Sequence, residues 1–164
     1  MSIVYLGLGS NLGDKQKNIE KALTLISERV GEILALSDFY ETDPWGYDST
    51  NSYINAAVKA ETMLNPEELL SVTQEIEQET GRDKKTSCGD YHDRIIDIDI
   101  LLFDNLILQT PDMTIPHSLM HKRLFVLQPL CEIAPDMLHP VSGKTITEIV
   151  SICSAFRARH QPIV

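Results

Sequence analysis

The chain has 164 residues, 43% of them hydrophobic, which is typical of a single domain able to bury a core without disulfides or a structural metal. Its formal net charge of −10 argues against a general role on nucleic acid or an anionic membrane, because phosphate groups would be repelled. No stretch approaches the ~20 apolar residues of a membrane span, and the start of the chain lacks the basic region of a signal peptide, so we expect one soluble domain over residues 1–164.

The first half of the chain is predicted to form a strand, a helix and two more strands. Residues 2–8 (SIVYLGL) have the apolar character of a buried strand, and GSNLGD is a turn with Asp14 as the helix N-cap. The strands are predicted at 32–40 and 53–62, around an irregular aromatic loop, TDPWGYDSTNS. The helix can end at Gly31, and its buried face is formed by Ile19, Ala22, Leu23, Ile26 and Val30.

A second helix has clear signals at both ends: Asn65 as N-cap, Pro66 at the first helical position, Glu68 two residues later and Gly81 at the end. Residues 82–93 are polar and irregular, and RIIDIDILLF is the most strand-like run of the sequence. We expect a short strand at 106–108 and a helix near 144–156, and assign no element to IPHSLMHKRLFVLQPLCEIAP between them.

The order strand, helix, two strands, helix, strand predicts an α+β fold. It suits a ferredoxin-like sandwich, with flanking helices on one face of a mainly antiparallel sheet.

Asp97 and Asp99 are the strongest candidates for a functional pair. They alternate with isoleucines, so a strand places both carboxylates on one face. Two neighbouring carboxylates repel, and Mg²⁺ is the natural cation to join them because histidine and cysteine are not clustered nearby. The alternative is a solvent-facing strand with two ordinary acids, although Ile95, Leu101 and Phe103 share their parity and would make that face largely apolar.

Three further features have both a functional and a structural interpretation. Gln74 and Glu77 lie three apart on the second helix and could line a cleft or form plain helix surface. GLGSNLG has the wrong spacing for a dinucleotide or phosphate-binding loop, so we interpret it as a strand-to-helix turn. His117, Arg123 and Phe125 could hold a nucleotide or a flat heterocycle, although a capped turn and a core phenylalanine are the more ordinary interpretation.

Bunched basic residues suit a small anionic ligand despite the acidic composition, although a solvated charged loop would look the same. The two groups are Arg82, Lys84, Lys85 and Arg94, and then Lys122 with Arg123. The three cysteines, Cys88, Cys131 and Cys153, form no C-x-x-C pair, so neither a disulfide framework nor a zinc ribbon is indicated and a cytoplasmic location fits.

Taken together, these segments resemble the 6-hydroxymethyl-7,8-dihydropterin pyrophosphokinase family over nearly the whole chain. The motifs occur in the family's order and spacing: GSNLGD, FYETDPWG, YINAAV, PEELL…Q…IE…GR, DRIIDIDILLF, IPH and R-x-FVLQPL-x-EIAP. The resemblance implies a cytoplasmic monomer that transfers pyrophosphate from MgATP to the hydroxymethyl group of 6-hydroxymethyl-7,8-dihydropterin, releasing AMP, in folate synthesis.

The resemblance also implies roles for individual residues. Asp97 and Asp99 would bind two Mg²⁺ ions and, with Arg82, Lys84 and Arg94, form the catalytic set. The ATP site would be lined by Gln74, Glu77, Arg94, Ile100, Thr114, His117 and Arg123. The pterin pocket would be formed by Thr42, Asp43, Trp45, Tyr53, Asn55, Tyr91 and Phe125.

The chain departs from the family pattern in the loop before the last long strand. Where the family usually has two arginines and a tryptophan, the corresponding regions hold Lys84, Cys88 or Asp90, and Tyr91. Asp112 stands in place of a frequent basic residue, and Ser118 in place of a frequent aromatic. Arg94 shares the parity of the isoleucines, so an irregularity at the start of the strand would have to turn it toward the phosphates.

Two other functions stay open at this point. A non-catalytic pterin or nucleotide sensor would keep the fold without turnover. A metal-dependent phosphohydrolase would use the same aspartates and need no pterin, although the aromatic loop 42–53 argues against it.

Overall fold

A computed structural model of the protein describes residues 1–42, 52–81 and 95–160, with side chains through residue 155. No helix in these ranges is long and apolar enough to cross a membrane. Seven strands and four helices are described, together with one 3-10 turn at Met120–Lys122. In chain order they are β1 (Ser2–Ser10), α1 (Lys15–Arg29), β2 (Gly31–Leu36), β3 (Tyr40–Thr42), β4 (Tyr53–Thr62), α2 (Pro66–Gly81), β5 (Asp97–Phe103), β6 (Leu108–Gln109), β7 (Thr114–Ile115), α3 (Leu124–Ile133) and α4 (Ile146–His160).

Side-chain caps fix the first turns of α1 and α2, as the sequence predicts. The Asp14 carboxylate accepts a hydrogen bond from the Lys17 N–H at 3.2 Å. At α2 the Asn65 Oδ1 accepts from the Glu68 N–H at 2.8 Å, and the Glu68 carboxylate accepts from the Asn65 N–H at 3.0 Å. This reciprocal capping box satisfies two donors that have no partner within the helix.

Two strand predictions need correction. The run at 32–40 is divided, because β2 ends at Leu36 and β3 begins only at Tyr40. Between them the backbone of Ser37 donates to the Ala57 carbonyl oxygen at 2.9 Å, and the Ser37 hydroxyl accepts from the Ala57 N–H at 2.8 Å. The short strand expected at 106–108 is β6, displaced to Leu108–Gln109, where it forms a separate two-stranded sheet with β7.

The main sheet has the strand order β2-β4-β1-β5, and β3 adds to β4 beside β2. Every pair of neighbours is antiparallel. The chain order β1-α1-β2, β4-α2-β5 on this sheet is the split βαβ arrangement of ferredoxin-like folds, so the predicted fold class is confirmed.

The helices cover both faces of the sheet, and the expectation that they pack on one face is wrong. One core cluster joins a sheet face to α1 and α2 through residues such as Leu6, Ile26 and Ile76. A second cluster joins the opposite face to α3 and α4; its members include Tyr5, Ala57, Leu127, Leu130, Ile146 and Ile149. The segment left unassigned in the sequence contains α3, which covers this second face.

A register shift in the pairing of β1 with β5 moves Phe103 to the sheet face opposite the predicted one. The shift lies between Tyr5 and Leu6 and inserts an extra residue at Leu101. Leu101 packs in the second core, as its parity predicts, but Phe103 packs in the first. A bulge places two residues of one strand opposite one of its partner, so the alternation reverses beyond it.

Candidate active site

Asp97 and Asp99 project from one face of β5, and the strand beside them leaves that face open. They pair in register with Gly9 and Gly7 of β1, which have no side chains to cover them. Both aspartates are partly exposed, whereas Ile98 is buried on the opposite face. The predicted alternation is therefore confirmed: the carboxylates share one accessible face of the sheet.

Two buried side chains hold the backbone on either side of Asp97. The Ser10 hydroxyl donates to the Ile95 carbonyl oxygen, and the Glu77 carboxyl group accepts from the Ile98 N–H at 2.9 Å. Glu77 is only 7% exposed, so it is not plain helix surface. Its hydrogen bond ties α2 to β5 next to the first aspartate.

The amide of Asn18 supports this arrangement from the turn after β1. It donates to the Ser10 hydroxyl at 3.2 Å and to the Leu12 carbonyl oxygen at 2.8 Å. The GSNLGD motif is therefore a turn, as predicted, and it also fixes the start of β5 through Ser10.

Thr42, Tyr53 and Asn55 come together on the other side of β1. Thr42 pairs in register with Tyr53, and the Asn55 side-chain amide donates to the Thr42 hydroxyl at 3.0 Å. Gly9 pairs with Asn55 on β4 and with Asp97 on β5. Because directly paired residues share a sheet face, Asn55 and Asp97 lie on the same face with only Gly9 between them.

A side chain at Gly9 would crowd this arrangement. A Cβ atom there would lie 3.1 Å from the Asn55 Oδ1 and 3.6 Å from the Tyr53 ring. At Gly7 the nearest atoms to a Cβ belong to the flexible side chain of Leu101, at 3.4 Å or more. The two glycines recur at the same interval as the two aspartates. This equal spacing is a sequence signal that the two glycines lie opposite the two aspartates, and the interpretation of GLGSNLG as a turn alone misses it.

His117 lies beside β5, because its N–H donates to the Leu101 carbonyl oxygen at 3.0 Å. Its Nδ1 accepts from the Leu119 N–H at 3.2 Å, which places the proton of the neutral ring on Nε2. Burial lowers the pKa of His117, the positive charge of Arg123 lowers it further, and the negative charge of Asp97 opposes them. Arg123 and Asp97 therefore both lie within electrostatic range of His117.

Arg123 and Phe125 form a cation–aromatic pair at the start of α3. The guanidinium carbon lies 5.8 Å from the centre of the Phe125 ring. Phe125 is only partly buried and, in the part of the chain that the structure describes, belongs to neither core cluster, so the core-phenylalanine interpretation does not hold there. The pair lies at the start of α3, which packs on the same face of the sheet as the one that carries the carboxylates.

The remaining predicted nucleotide residues are more dispersed. Gln74 is exposed on α2, across the sheet from the carboxylates, and Thr114 is exposed on β7, which packs beside β5. Ile100 is 8% exposed and packs in the first core, so little of its side chain is accessible. Since β5 is the outermost strand of the sheet, a ligand that touches Gln74 and the aspartates must pass around its edge.

Six predicted site residues lie outside the described residues, and their roles stay predictions: Asp43, Trp45, Arg82, Lys84, Tyr91 and Arg94. The expected irregular stretch 82–93, with Cys88 and Asp90, lies outside them as well.

The carboxylate pair offers the hard oxygen ligands that Mg²⁺ prefers. In the described ranges, no group of three or more histidine, cysteine, aspartate or glutamate side chains gathers to enclose a metal ion. Mg²⁺ commonly keeps several waters and binds through one or two carboxylates and the phosphates of a substrate. Two accessible aspartates on an open sheet face meet that description.

The fold and these side chains define a small α+β protein with paired carboxylates, a cation and an accessible aromatic ring on one face of an antiparallel sheet. A family model described as 7,8-dihydro-6-hydroxymethylpterin-pyrophosphokinase (HPPK) matches residues 5–135. The chain belongs to this family.

Individual relatives carry the same family name. The chain is 49% identical over 141 residues to the 2-amino-4-hydroxy-6-hydroxymethyldihydropteridine pyrophosphokinase of Porphyromonas gingivalis, a match covering 85% of this chain and 95% of that protein. For the enzyme of the same name from Aquifex aeolicus the identity is 40% over 148 residues, with 90% of each chain covered.

A solved structure supports the fold alone. Wild-type HPPK-DHPS of Plasmodium falciparum superimposes with a TM-score of 0.77 at 18% identity, over 98% of this chain. The match spans 46% of the longer Plasmodium chain.

Proposed function

We propose that the protein transfers the terminal pyrophosphoryl group of ATP to the hydroxymethyl oxygen of 6-hydroxymethyl-7,8-dihydropterin, releasing AMP, as a step of folate synthesis. The observation that carries this proposal is the row Asn55, Gly9 and Asp97 on one sheet face. Adjacent strands are about 4.8 Å apart, so Asn55 and Asp97 are separated by about 10 Å. A bicyclic ring with a short arm can extend from one to the other.

On the nucleotide side, Asp97 and Asp99 would hold two Mg²⁺ ions. Bound Mg²⁺ supplies charge neutralisation for the triphosphate and the developing leaving group. Arg123 adds positive charge within electrostatic range of His117, and neutral His117 can donate a hydrogen bond from Nε2 to a phosphate or nucleoside oxygen. We assign Gln74, Glu77, Ile100 and Thr114 to the same site, and Arg82, Lys84 and Arg94 to the phosphates.

On the acceptor side, Asn55 and Thr42 would bind the polar edge of the pterin. Tyr53 and Phe125 offer aromatic surface on the same sheet face, where stacking favours a flat heterocycle. Asp43, Trp45 and Tyr91 complete the proposed pocket.

The proposed reaction requires little covalent chemistry from the protein itself. The hydroxymethyl oxygen bonds to the β-phosphorus while the bond from that phosphorus to the α–β bridging oxygen breaks, and AMP departs. The side chains contribute by holding the attacking and leaving oxygens in line and by excluding water. Asp97 is the proposed acceptor of the hydroxyl proton.

We further propose that the chain acts as one domain over residues 1–164, as a cytoplasmic monomer without nucleic-acid or membrane partners. The net charge of −10 supports the last two points, since it disfavours anionic surfaces.

Substitution of the two carboxylates tests the proposal. Asp97→Asn and Asp99→Asn should each reduce turnover at least ~10³-fold, equivalent to about 4 kcal/mol of transition-state stabilisation. Asp136→Asn, at an exposed acid in the turn after α3, is the matched control and should leave turnover unchanged.

The same variants separate a functional from a structural role. In metal-free buffer, thermal stability of Asp97→Asn and Asp99→Asn should equal or exceed that of the wild type, because one of two repelling charges is removed. Near-normal turnover, or a large loss of stability without metal, would contradict the proposal.

A further inference from the structure

The carboxylate of Glu132 attaches the segment before β3 to helix α3. The two oxygens of Glu132, near the end of α3, accept the Asp38 N–H at 3.1 and 3.0 Å. One of them also accepts the Tyr40 hydroxyl at 2.6 Å. These residues are 92 and 94 positions apart in the sequence, so the bonds join two separate parts of the fold.

The attached segment leads directly into the acceptor side of the site. Tyr40 begins β3, a strand of three residues that pairs with β4. Thr42 ends it, and its hydroxyl accepts the hydrogen bond from the Asn55 amide. A strand this short gains little from its own ladder, so attachments outside the sheet, added to the bonds between Ser37 and Ala57, help to fix its position.

Helix α3 contributes to the acceptor side at both ends. Its first turn carries Phe125, and its last turn carries Glu132. A helix of 10 residues is about 15 Å long, so the two side chains lie at opposite ends of one element. The spacing between the Phe125 ring and the Thr42 hydroxyl therefore depends in part on this helix and on the bonds that Glu132 makes.

We propose that Glu132 is a positioning residue for acceptor binding, acting through Tyr40 and Asp38 to hold Thr42 and Asn55 in place. This inference rests on the proposed function. It also gives a role to the tyrosine of FYETDPWG and the glutamate of EIAP, Tyr40 and Glu132, which are joined by a hydrogen bond.

The state of the Tyr40 phenol is consistent with this role. Its hydrogen bond to Glu132, with a smaller effect of burial, raises the pKa of Tyr40 to about 12. The phenol therefore stays protonated, and remains a donor to the carboxylate, throughout the neutral range.

The test compares the affinities for the two substrates. Binding of 6-hydroxymethyl-7,8-dihydropterin in the presence of a non-hydrolysable MgATP analogue, and of the analogue alone, would be measured by calorimetry. Glu132→Ala should weaken pterin binding about tenfold and nucleotide binding less than about twofold. Glu132→Gln, which keeps an acceptor oxygen, should recover part of the loss.

Glu148 provides a matched control. Its carboxylate is likewise exposed and accepts one backbone N–H and one hydroxyl, both from Thr145, at 3.0 and 3.1 Å. Glu148→Ala should lower thermal stability by weakening the cap of α4 and leave both affinities unchanged. A general effect of lost stability would appear in this variant as well.

A double-mutant cycle with Tyr40→Phe tests the route of the effect. If Glu132 acts in part through the phenol, its replacement by alanine should cost less pterin affinity in the Tyr40→Phe background than in the wild type.

The inference is overturned if Glu132→Ala weakens pterin binding no more than Glu148→Ala does, or weakens both substrates equally. Strictly additive effects of the Glu132 and Tyr40 variants would overturn the route through Tyr40. A wild-type protein that binds no pterin would overturn the proposed function itself, an outcome distinct from unchanged affinity in the variant.

Discussion

Gly9→Ala is the smallest change that probes the space between the pterin-binding and metal-binding residues. The added Cβ would lie 3.1 Å from the Asn55 Oδ1, closer than ordinary van der Waals contact, so the amide must move by a few tenths of an ångström. That movement strains its 3.0 Å hydrogen bond to Thr42. The loss of one such bond is worth about 1 kcal/mol, or about fivefold in pterin affinity.

Gly7→Ala serves as the control, on the same strand and the same face. There the added Cβ meets only the end of the Leu101 side chain at ordinary contact distances. Alanine in a strand is more favourable than glycine by roughly 0.5–1 kcal/mol, so neither variant should be much less stable than the wild type. Reduced pterin affinity in Gly9→Ala would therefore not reflect unfolding.

Calorimetric titration with pterin in the presence of a MgATP analogue measures the difference. The reasoning predicts weaker pterin binding in Gly9→Ala, near-normal binding in Gly7→Ala and unchanged nucleotide affinity in both. Equal pterin affinities in the two variants would refute the claim that the space above Gly9 is needed for the acceptor.

Three further predictions concern stability and are measured by urea or thermal denaturation. Glu77→Ala removes the acceptor of the buried Ile98 N–H and should cost about 2 kcal/mol, whereas Glu77→Gln should cost less. Gly31→Ala should cost about 3 kcal/mol, because its Cβ would lie 1.8 Å from the Glu61 carbonyl oxygen. Burial, with a smaller effect of the charge on His121, lowers the pKa of His139 from its ordinary 6.5. The unfolded chain therefore binds more protons, and stability present above pH 6.5 is lost as the pH falls below it; His139→Asn should reduce this loss.

Each of these predictions has a clear contrary result. Equal stability of Glu77→Ala and an exposed Glu75→Ala control would show that the Ile98 hydrogen bond contributes little. A Gly31→Ala protein as stable as the wild type would mean that β2 and β4 can separate freely at that point. An unchanged acid profile in His139→Asn would assign the pH dependence to other groups.

Local signals in the sequence were sufficient for the helix caps and for most of the ferredoxin-like order. Asn65, Glu68 and Asp14 act within a few residues of themselves, and the alternation of Asp97 and Asp99 depends only on the geometry of one strand. Such features need no knowledge of the rest of the fold, and the structure confirms them.

The features that sequence reasoning missed depend on partners distant in the chain. The side chain of Phe103 changed face because of a bulge, which arises from the pairing of two strands. Helix α3 went unassigned because its apolar residues form a recognisable buried surface only against the second sheet face, on which they pack. The bonds of Glu132 to Asp38 and Tyr40 likewise leave no local pattern to detect.

The product of the reaction tests the central claim most directly. The protein would be mixed with Mg²⁺, ATP and 6-hydroxymethyl-7,8-dihydropterin, and phosphorus NMR would follow the nucleotides. Attack on the β-phosphorus predicts AMP in equal amount to the pterin consumed, together with a pterin diphosphate, and no turnover without pterin. Stoichiometric ADP, or release of phosphate or pyrophosphate in the absence of pterin, would contradict the assignment.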